Sequence, residues 1–96
     1  MPGLLKVGGR KDNTNLVAVD KVAAIISPNS APAKRLKDEA REAGRLVDVT
    51  HGSPTRAFII TTANQVFLSN VTVTTLAERF KSLDGSGRLQ EEPDNL

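Results

Sequence analysis

Apolar residues in the first part of the chain fall into short runs separated by glycine and asparagine, a pattern typical of strands joined by loops. Residues 4–7, LLKV, predict a first short strand, and residues 8–15, GGRKDNTN, predict a loop. The apolar stretch 16–27 predicts a strand that is interrupted near Asp20. The N-terminal part should therefore contribute extended segments to a sheet.

Two segments carry the spacing and end signals of helices. Ser30 is suited to cap the first helix, since its hydroxyl can accept a first-turn amide hydrogen, and Gly44 marks its end. The second helix is predicted to begin at about Thr75, with Glu78 completing a capping box, and to stop near Gly85. Strands are predicted at three further places: residues 45–50, 55–62 and 66–70.

This order of elements predicts an α+β fold, a small and mostly antiparallel sheet with two helices. The strand sequences AFIIT (57–61) and VAAII (22–26) are apolar at consecutive positions, so both of their faces require cover. Two short helices are expected to cover one side of the sheet. We therefore expect copies of the chain to cover the other side by forming a homo-oligomer.

Charge is unevenly distributed along the 96 residues. Residues 1–56 contain ten Lys and Arg against six Asp and Glu, whereas residues 84–96 sum to −3. Residues 1–83 are interpreted as one domain and residues 84–96 as a disordered acidic tail, because the tail has few apolar residues. The basic excess of the domain favours a polyanionic partner, although ordinary surface charge remains the alternative.

The first helix separates its charges by face. Lys34, Lys37 and Arg41 lie along one edge of the apolar stripe, where a row of cations suits phosphate groups. Arg35 lies among the acidic residues and could instead pair with Glu39 or with Asp38, one turn away. The edge is equally compatible with simple solvation.

The turn HGSPTR, residues 51–56, places hydroxyl, imidazole and guanidinium groups on a loop stiffened by proline. Ser53 and Arg56 could donate hydrogen bonds to phosphate oxygens, and His51 could do the same or simply be an exposed turn residue. Arg56 could also pair with a carboxylate of a neighbouring subunit such as Asp48. Asp48 itself is interpreted as a turn cap or an intersubunit partner.

Motifs for catalysis, metals and cofactors are not found in the sequence. It contains no cysteine, which excludes disulfides and thiolate metal sites, and its single histidine lacks a nucleophile-elbow context. We expect neither an enzyme nor a protein with a cofactor, a small-molecule substrate or a membrane partner. A cytoplasmic location fits the absence of cysteine and of a secretory signal.

Linked short motifs resemble those of the RemA family of extracellular-matrix regulatory proteins. They are ISPNSAPAKR at the first helix, GRLVDVTHGSPTRA through the turn, and TLAER in the second helix. The resemblance runs from about Val17 to Phe80. It implies a bacterial transcriptional regulator of biofilm matrix genes that binds double-stranded DNA without a helix-turn-helix. It further implies a LytTR-like fold assembled into a homo-oligomeric ring that could wrap DNA around its outside.

The resemblance also assigns basic positions: Lys21, the pair Lys34 and Arg35, and Arg56. Relatives often carry two arginines directly after the turn glycine, whereas this chain has Ser53 and Pro54. The change removes two positive charges per subunit. DNA binding could then be weaker, could rest on Arg10, Lys11 and Lys21, or could have given way to a protein-interaction or scaffold role.

Overall fold

A computed structural model describes residues 3–10 and 13–83 of the chain. Six strands, two α-helices and a short 3₁₀ helix follow in the order β1 (Leu4–Arg10), β2 (Asn13–Ala18), the 3₁₀ helix (Val19–Lys21), β3 (Val22–Ile26), α1 (Ala31–Glu42), β4 (Leu46–Asp48), β5 (Ala57–Thr61), β6 (Val66–Ser69) and α2 (Val73–Leu83). The α+β class is confirmed. The predicted acidic tail, residues 84–96, lies outside the described residues.

The strands form two sheets rather than one. β1 and β2 make an antiparallel pair, and the other four strands are ordered β3-β5-β6-β4. Within the larger sheet β3–β5 and β5–β6 are antiparallel, and β4 runs parallel to β6. The predicted hairpin between β5 and β6 and the interruption near Asp20 are both confirmed.

The predicted loop at residues 8–15 is wrong, since β1 extends to Arg10 and β2 begins at Asn13. The register shifts between Lys6 and Gly8, and Gly9 has a φ of 139°, so the glycines form an irregularity within the hairpin. A Cβ atom on Gly8 would lie 2.7 Å from the backbone oxygen of Val49. Glycine is present here because the strand passes close to the neighbouring backbone.

Both helix starts are fixed by hydroxyl caps, but only the first lies where the sequence predicts it. The Ala33 amide donates to Ser30 Oγ at 3.1 Å, and the chain leaves α1 through Gly44, whose φ is 74°. α2 begins at Val73 rather than at Thr75. Its cap is Thr72, whose hydroxyl oxygen lies 3.3 Å from the Thr75 amide nitrogen, so the predicted capping box is wrong.

The chain itself covers both faces of the larger sheet. Ala57 and Ile59 of β5 belong to a core cluster built with residues of β1, β2 and α2, such as Leu76. Phe58 and its neighbour Ile60 face the other way and pack with α1. The β1–β2 hairpin and α2 together cover one face, and α1 covers the other. The expectation that a second subunit must cover one face is therefore wrong.

Helix α1 packs through alanines and Leu36. Ala33 and Ala40 are buried against Phe58, Val66 and Leu68, which brings the helix close to the sheet. Within residues 3–10 and 13–83, no helix has the length and apolar character required to span a bilayer.

Candidate nucleic-acid interface

Four segments that carry basic side chains lie at one end of the larger sheet. β3 ends where β5 begins, because Ile26 pairs with Phe58 in the antiparallel register. The start of α1, the turn after β4 and Arg10, the last residue of β1, lie at the same end. We call this region the basic end and define it by five residues: Arg10, Lys34, Lys37, His51 and Arg56.

The turn after β4 is held by Asp48 and Thr50. Asp48 Oδ1 accepts hydrogen bonds from the Thr50 hydroxyl at 2.6 Å and from the Thr50 amide at 2.9 Å. The Ser53 amide then donates to the Thr50 carbonyl at 3.0 Å. The interpretation of Asp48 as a turn cap is confirmed, and its alternative role between subunits stays a prediction.

Asp48, the last residue of β4, adds a carboxylate to this end. The hydroxyl of Thr50, and next its amide, hold the pKa of Asp48 below the ordinary value, and the charges of His51 and Lys37 lower it further. The carboxylate of Asp48 therefore partly offsets the positive charge of the basic end.

His51 joins the turn to the β1–β2 hairpin. It is exposed and has a φ of 53°, and it precedes Gly52 with a φ of 87°. Its Nε2 lies 3.0 Å from the side-chain amide nitrogen of Asn15, and its carbonyl oxygen lies 3.4 Å from Arg10 Nη1. Sequence reasoning missed Asn15, because the contact joins positions far apart in the chain.

The edge of α1 and the approach to β5 form the other half of the basic end. Lys34, Lys37 and Thr55 line an open cavity of about 320 Å³, whose floor includes the buried Phe58. Arg56 follows Thr55 and is exposed, while its amide donates to the Ser69 carbonyl at 2.7 Å. Ammonium and hydroxyl donors thus border a single concave surface.

Asp38 also lines this cavity. Its carboxylate accepts a hydrogen bond from Arg41 at 3.2 Å, which offsets its charge. The sequence had offered Arg35 as the partner of Asp38. Arg35 instead lies on the exposed side of α1, away from the sheet.

Lys21 lies at the opposite end of the sheet from the basic end. Its carbonyl accepts a hydrogen bond from the Thr62 amide at 2.8 Å, which places it beyond the far end of β5. Six residues of extended chain separate Thr62 from Arg56, a distance of about 20 Å. Arg45 lies at the same far end, since its Nη1 donates to the Asn64 carbonyl at 2.6 Å.

The structure therefore sorts the predicted site residues into three groups. Five of them share the basic end or its turn: Arg10, Lys34, His51, Ser53 and Arg56. Lys21 and Arg35 lie apart from it, and Lys11 lies outside the described residues.

Comparison with known proteins identifies the family. A family model described as extracellular matrix regulatory protein A-like matches residues 4–80. A protein of Pseudothermotoga lettingae is 47% identical over 81 residues, which cover 84% of this chain and 85% of the relative. A protein of Thermosipho africanus is 44% identical over 96 residues, covering 100% and 96% of the two chains.

A protein of Desulfatibacillum aliphaticivorans is 51% identical over 69 residues, covering 72% of this chain and 78% of the relative. All three relatives are named as candidate regulatory proteins. The matched region includes every described element from β1 to most of α2. The chain belongs to the RemA-like family of regulatory proteins.

Proposed function

We propose that this protein is a DNA-binding transcriptional regulator that contacts the phosphates of a duplex through the basic end. The observation that carries the proposal is the cavity bordered by Lys34, Lys37 and Thr55, with Arg56 following Thr55 in the chain. Ammonium, hydroxyl and guanidinium donors on a concave surface suit phosphate oxygens, which fix a protein on DNA without reading sequence. Such a role places the protein in the bacterial cytoplasm.

The proposed regulator acts as a homo-oligomer, with a LytTR-like fold arranged in a ring that can wrap DNA. Leu4 and Leu16 support association, since they are 58% and 50% exposed on the outward face of the β1–β2 hairpin. A ring would repeat the small basic end at regular intervals and produce a band of positive potential. Genes for the biofilm matrix are the proposed targets, in line with the family.

The decisive experiment is duplex binding at several salt concentrations, with light scattering to determine the assembly state. A complex whose affinity comes mainly from phosphate contacts binds much more weakly at about 200 mM salt than at about 50 mM salt. Arg56→Gln should weaken binding several-fold and reduce the salt slope by about one. Lys81→Gln, near the end of α2, removes the same charge elsewhere and serves as the control.

Absence of binding at low salt would contradict the DNA-binding proposal, and a monomer at working concentration would contradict the ring. A second candidate is an oligomeric protein-interaction module. Asp48 favours it by placing a carboxylate among the basic residues, and this chain has Ser53 and Pro54 where the family resemblance often implies a pair of arginines. A protein partner whose affinity is insensitive to salt would distinguish this role.

A further inference from the structure

The outer edge of β3 is an uncovered strand edge of the larger sheet. Among the described strands, β3 pairs with β5 and with no other, and it has five residues where β4, the opposite outer strand, has three. None of its side chains is charged; Ala23 is exposed and the other four are half-buried. Soluble proteins usually protect such an edge by charged side chains, proline, a bulge or short length. Here a register shift between Val22 and Ala24 is followed by three regularly paired residues, 24–26.

Backbone groups on this edge are directed outward. The Thr61 amide donates to the Gln65 carbonyl at 3.0 Å, so every second residue of β5, counted from Thr61, bonds to β6. Ile60 lies between these positions and bonds to β3, where its partner is Ala24. Ile25 therefore directs its N–H and C=O away from β5. Within the part of the chain that the structure describes, no side-chain hydrogen bond reaches the backbone of β3, in contrast to that of β1.

An apolar groove lies beside this edge, between β3 and α2. Its volume is about 260 Å³, and it is lined by residues 22–25 of β3 and by Val73, Ala77 and Phe80 of α2. Among the described residues, no charged side chain lines it. The partner that fits this surface adds an extended strand to β3 and apolar side chains to the groove.

A second copy of the chain offers both from the same surface. A two-fold contact requires a patch that is complementary to itself, and residues 22–33 contain no Lys, Arg, Asp or Glu. Asp20 and Lys21 precede the strand. Antiparallel pairing of two β3 strands places these charges beside the uncharged end of the partner strand rather than beside each other.

We propose that two copies associate through β3, antiparallel about a two-fold axis at Ala24, and that each copy adds its Lys21 to the basic end of the other. Ala24 is the middle residue of the strand, so this register pairs the whole edge. It places the exposed Lys21 opposite Ser27 of the partner subunit, since each lies three residues from the axis. Pro28 and Asn29, which follow Ser27, line the cavity of the basic end.

The role of Lys21 rests on the proposed DNA binding, whereas the strand contact does not. Within one chain Lys21 lies beyond the far end of β5, and only a second copy brings a lysine from this position to the basic end. A two-fold contact closes after two copies, so a ring needs a further contact between such pairs. The exposed Leu4 and Leu16 of the hairpin are available for it.

A cross-link tests the strand contact without DNA. Because Ala24 bonds to β5, it would face Ala24 of the partner subunit as a non-hydrogen-bonded pair, with Cα atoms about 4.5 Å apart, which suits a disulfide. The protein has no cysteine, so Ala24→Cys in the full chain reports on this contact alone. The control is Ala63→Cys, exposed in the β5–β6 turn. Under mild oxidation Ala24→Cys should form a covalent dimer at least about tenfold faster, because pairing raises the effective concentration of the thiols. Equal rates would overturn the proposal.

A second variant blocks the edge without entering the core. Ala23→Lys places an ammonium group on an exposed position of β3, a common device against strand pairing. It should weaken self-association, measured by analytical ultracentrifugation without DNA, by at least about tenfold. Ala63→Lys adds the same charge at the turn and should have little effect. Equal effects of the two variants would overturn the contact through β3.

The contribution of Lys21 is tested in the cross-linked Ala24→Cys dimer. Adding Lys21→Gln should lower duplex affinity several-fold even at concentrations where the unlinked chain is monomeric. Lys6→Gln, which removes the same charge from β1, should change it much less. Equal losses would overturn the contribution of Lys21 to the basic end. Absence of duplex binding by both linked and unlinked protein would contradict the proposed function and with it the role of Lys21, whereas the strand contact is decided by the cross-link and the association constant.

Discussion

Lys21 and Arg56 lie at opposite ends of β5, about 20 Å apart. The Thr62 amide fixes one end by its bond to the Lys21 carbonyl at 2.8 Å, and the Arg56 amide fixes the other by its bond to the Ser69 carbonyl at 2.7 Å. The two side chains cannot bind the same phosphate within one subunit. Copies that associate head to tail would bring Lys21 of one subunit beside the basic end of the next.

This separation predicts that Lys21→Gln weakens DNA binding only when the protein is assembled. Arg56→Gln should weaken binding at every concentration, because the basic end is complete within one chain. Duplex affinity measured above and below the concentration at which light scattering detects oligomers checks the difference. Equal losses for the two variants in the monomer range would contradict the geometry.

Two neighbouring residues of α1 are predicted to differ in their effect on DNA binding. Lys34 lines the cavity of the basic end, whereas Arg35, about 100° further around the helix, is exposed and is not among the lining residues. Lys34→Gln should reduce affinity several-fold and lower the salt slope by about one. Arg35→Gln, which removes the same charge one position away, should leave the slope unchanged. The opposite ranking would place the interface on the outer face of α1.

Gly8 is predicted to tolerate substitution less well than Gly44. A Cβ on Gly8 would lie 2.7 Å from the Val49 carbonyl oxygen, and this backbone is held by the bond from the Val49 amide to the Leu68 carbonyl at 3.0 Å. Gly8→Ala should therefore cost about 3 kcal/mol in the free energy of unfolding. Gly44→Ala meets no atom within 4 Å and should cost about 1 kcal/mol, from its φ of 74° alone. Urea unfolding of both variants provides the measurement.

Asp48 is predicted to contribute to the acid sensitivity of the fold. Its pKa is lowered from the ordinary value of 3.8, chiefly by the Thr50 hydroxyl, so its ionised form is stabilised by folding. This contribution is complete above about pH 5 and disappears as the pH falls through the folded pKa, below 3.8. The effect is modest because the side chain is exposed.

The corresponding variant is Asp48→Asn, whose stability should change less than that of the parent protein between pH 5 and pH 2. Asp20→Asn removes one exposed carboxyl at a distant position and controls for net charge. Chemical unfolding at a series of pH values distinguishes the two variants. An unchanged pH dependence for Asp48→Asn would show that the turn does not depend on the charge.

Thr72 is predicted to stabilise α2 through its hydroxyl. Thr72→Ala removes the acceptor of the Thr75 amide and should cost about 1 kcal/mol. Thr74→Ala, two positions later and exposed, should be neutral or slightly stabilising, because alanine favours the helix. A denaturant midpoint that falls for Thr74→Ala and not for Thr72→Ala would place the cap elsewhere.

Features of the fold that depend on a few adjacent residues could be predicted from the sequence. Ser30 caps the start of α1, and Gly44 ends it by adopting a positive φ. The β5–β6 hairpin follows from two apolar runs and a short connection. The error at Gly8 has a different origin. Consecutive glycines are typical of a loop, and their actual role depends on Val49, which is distant in the chain and becomes a neighbour only after folding.

Strand order also determines the site, and it cannot be obtained from local patterns. Lys21 and Arg56 belong to the same predicted set of basic residues, yet the antiparallel pairing of β3 with β5 carries them to opposite ends. No sequence pattern predicted that Asn15 belongs to the site, because its contact with His51 depends on how the β1–β2 hairpin packs on the larger sheet. The sequence shows that both faces of β5 are apolar, but it does not show which elements cover them.

The position of β4 has a consequence for how the molecule assembles during folding. β3 and β4 are the two outermost strands of the larger sheet, although only α1 separates them in the chain. Neither can join until the central β5–β6 hairpin exists, so this hairpin is the expected folding nucleus. Attachment of both outer strands then requires closure of long loops, and we expect refolding to be slow for a chain of this size.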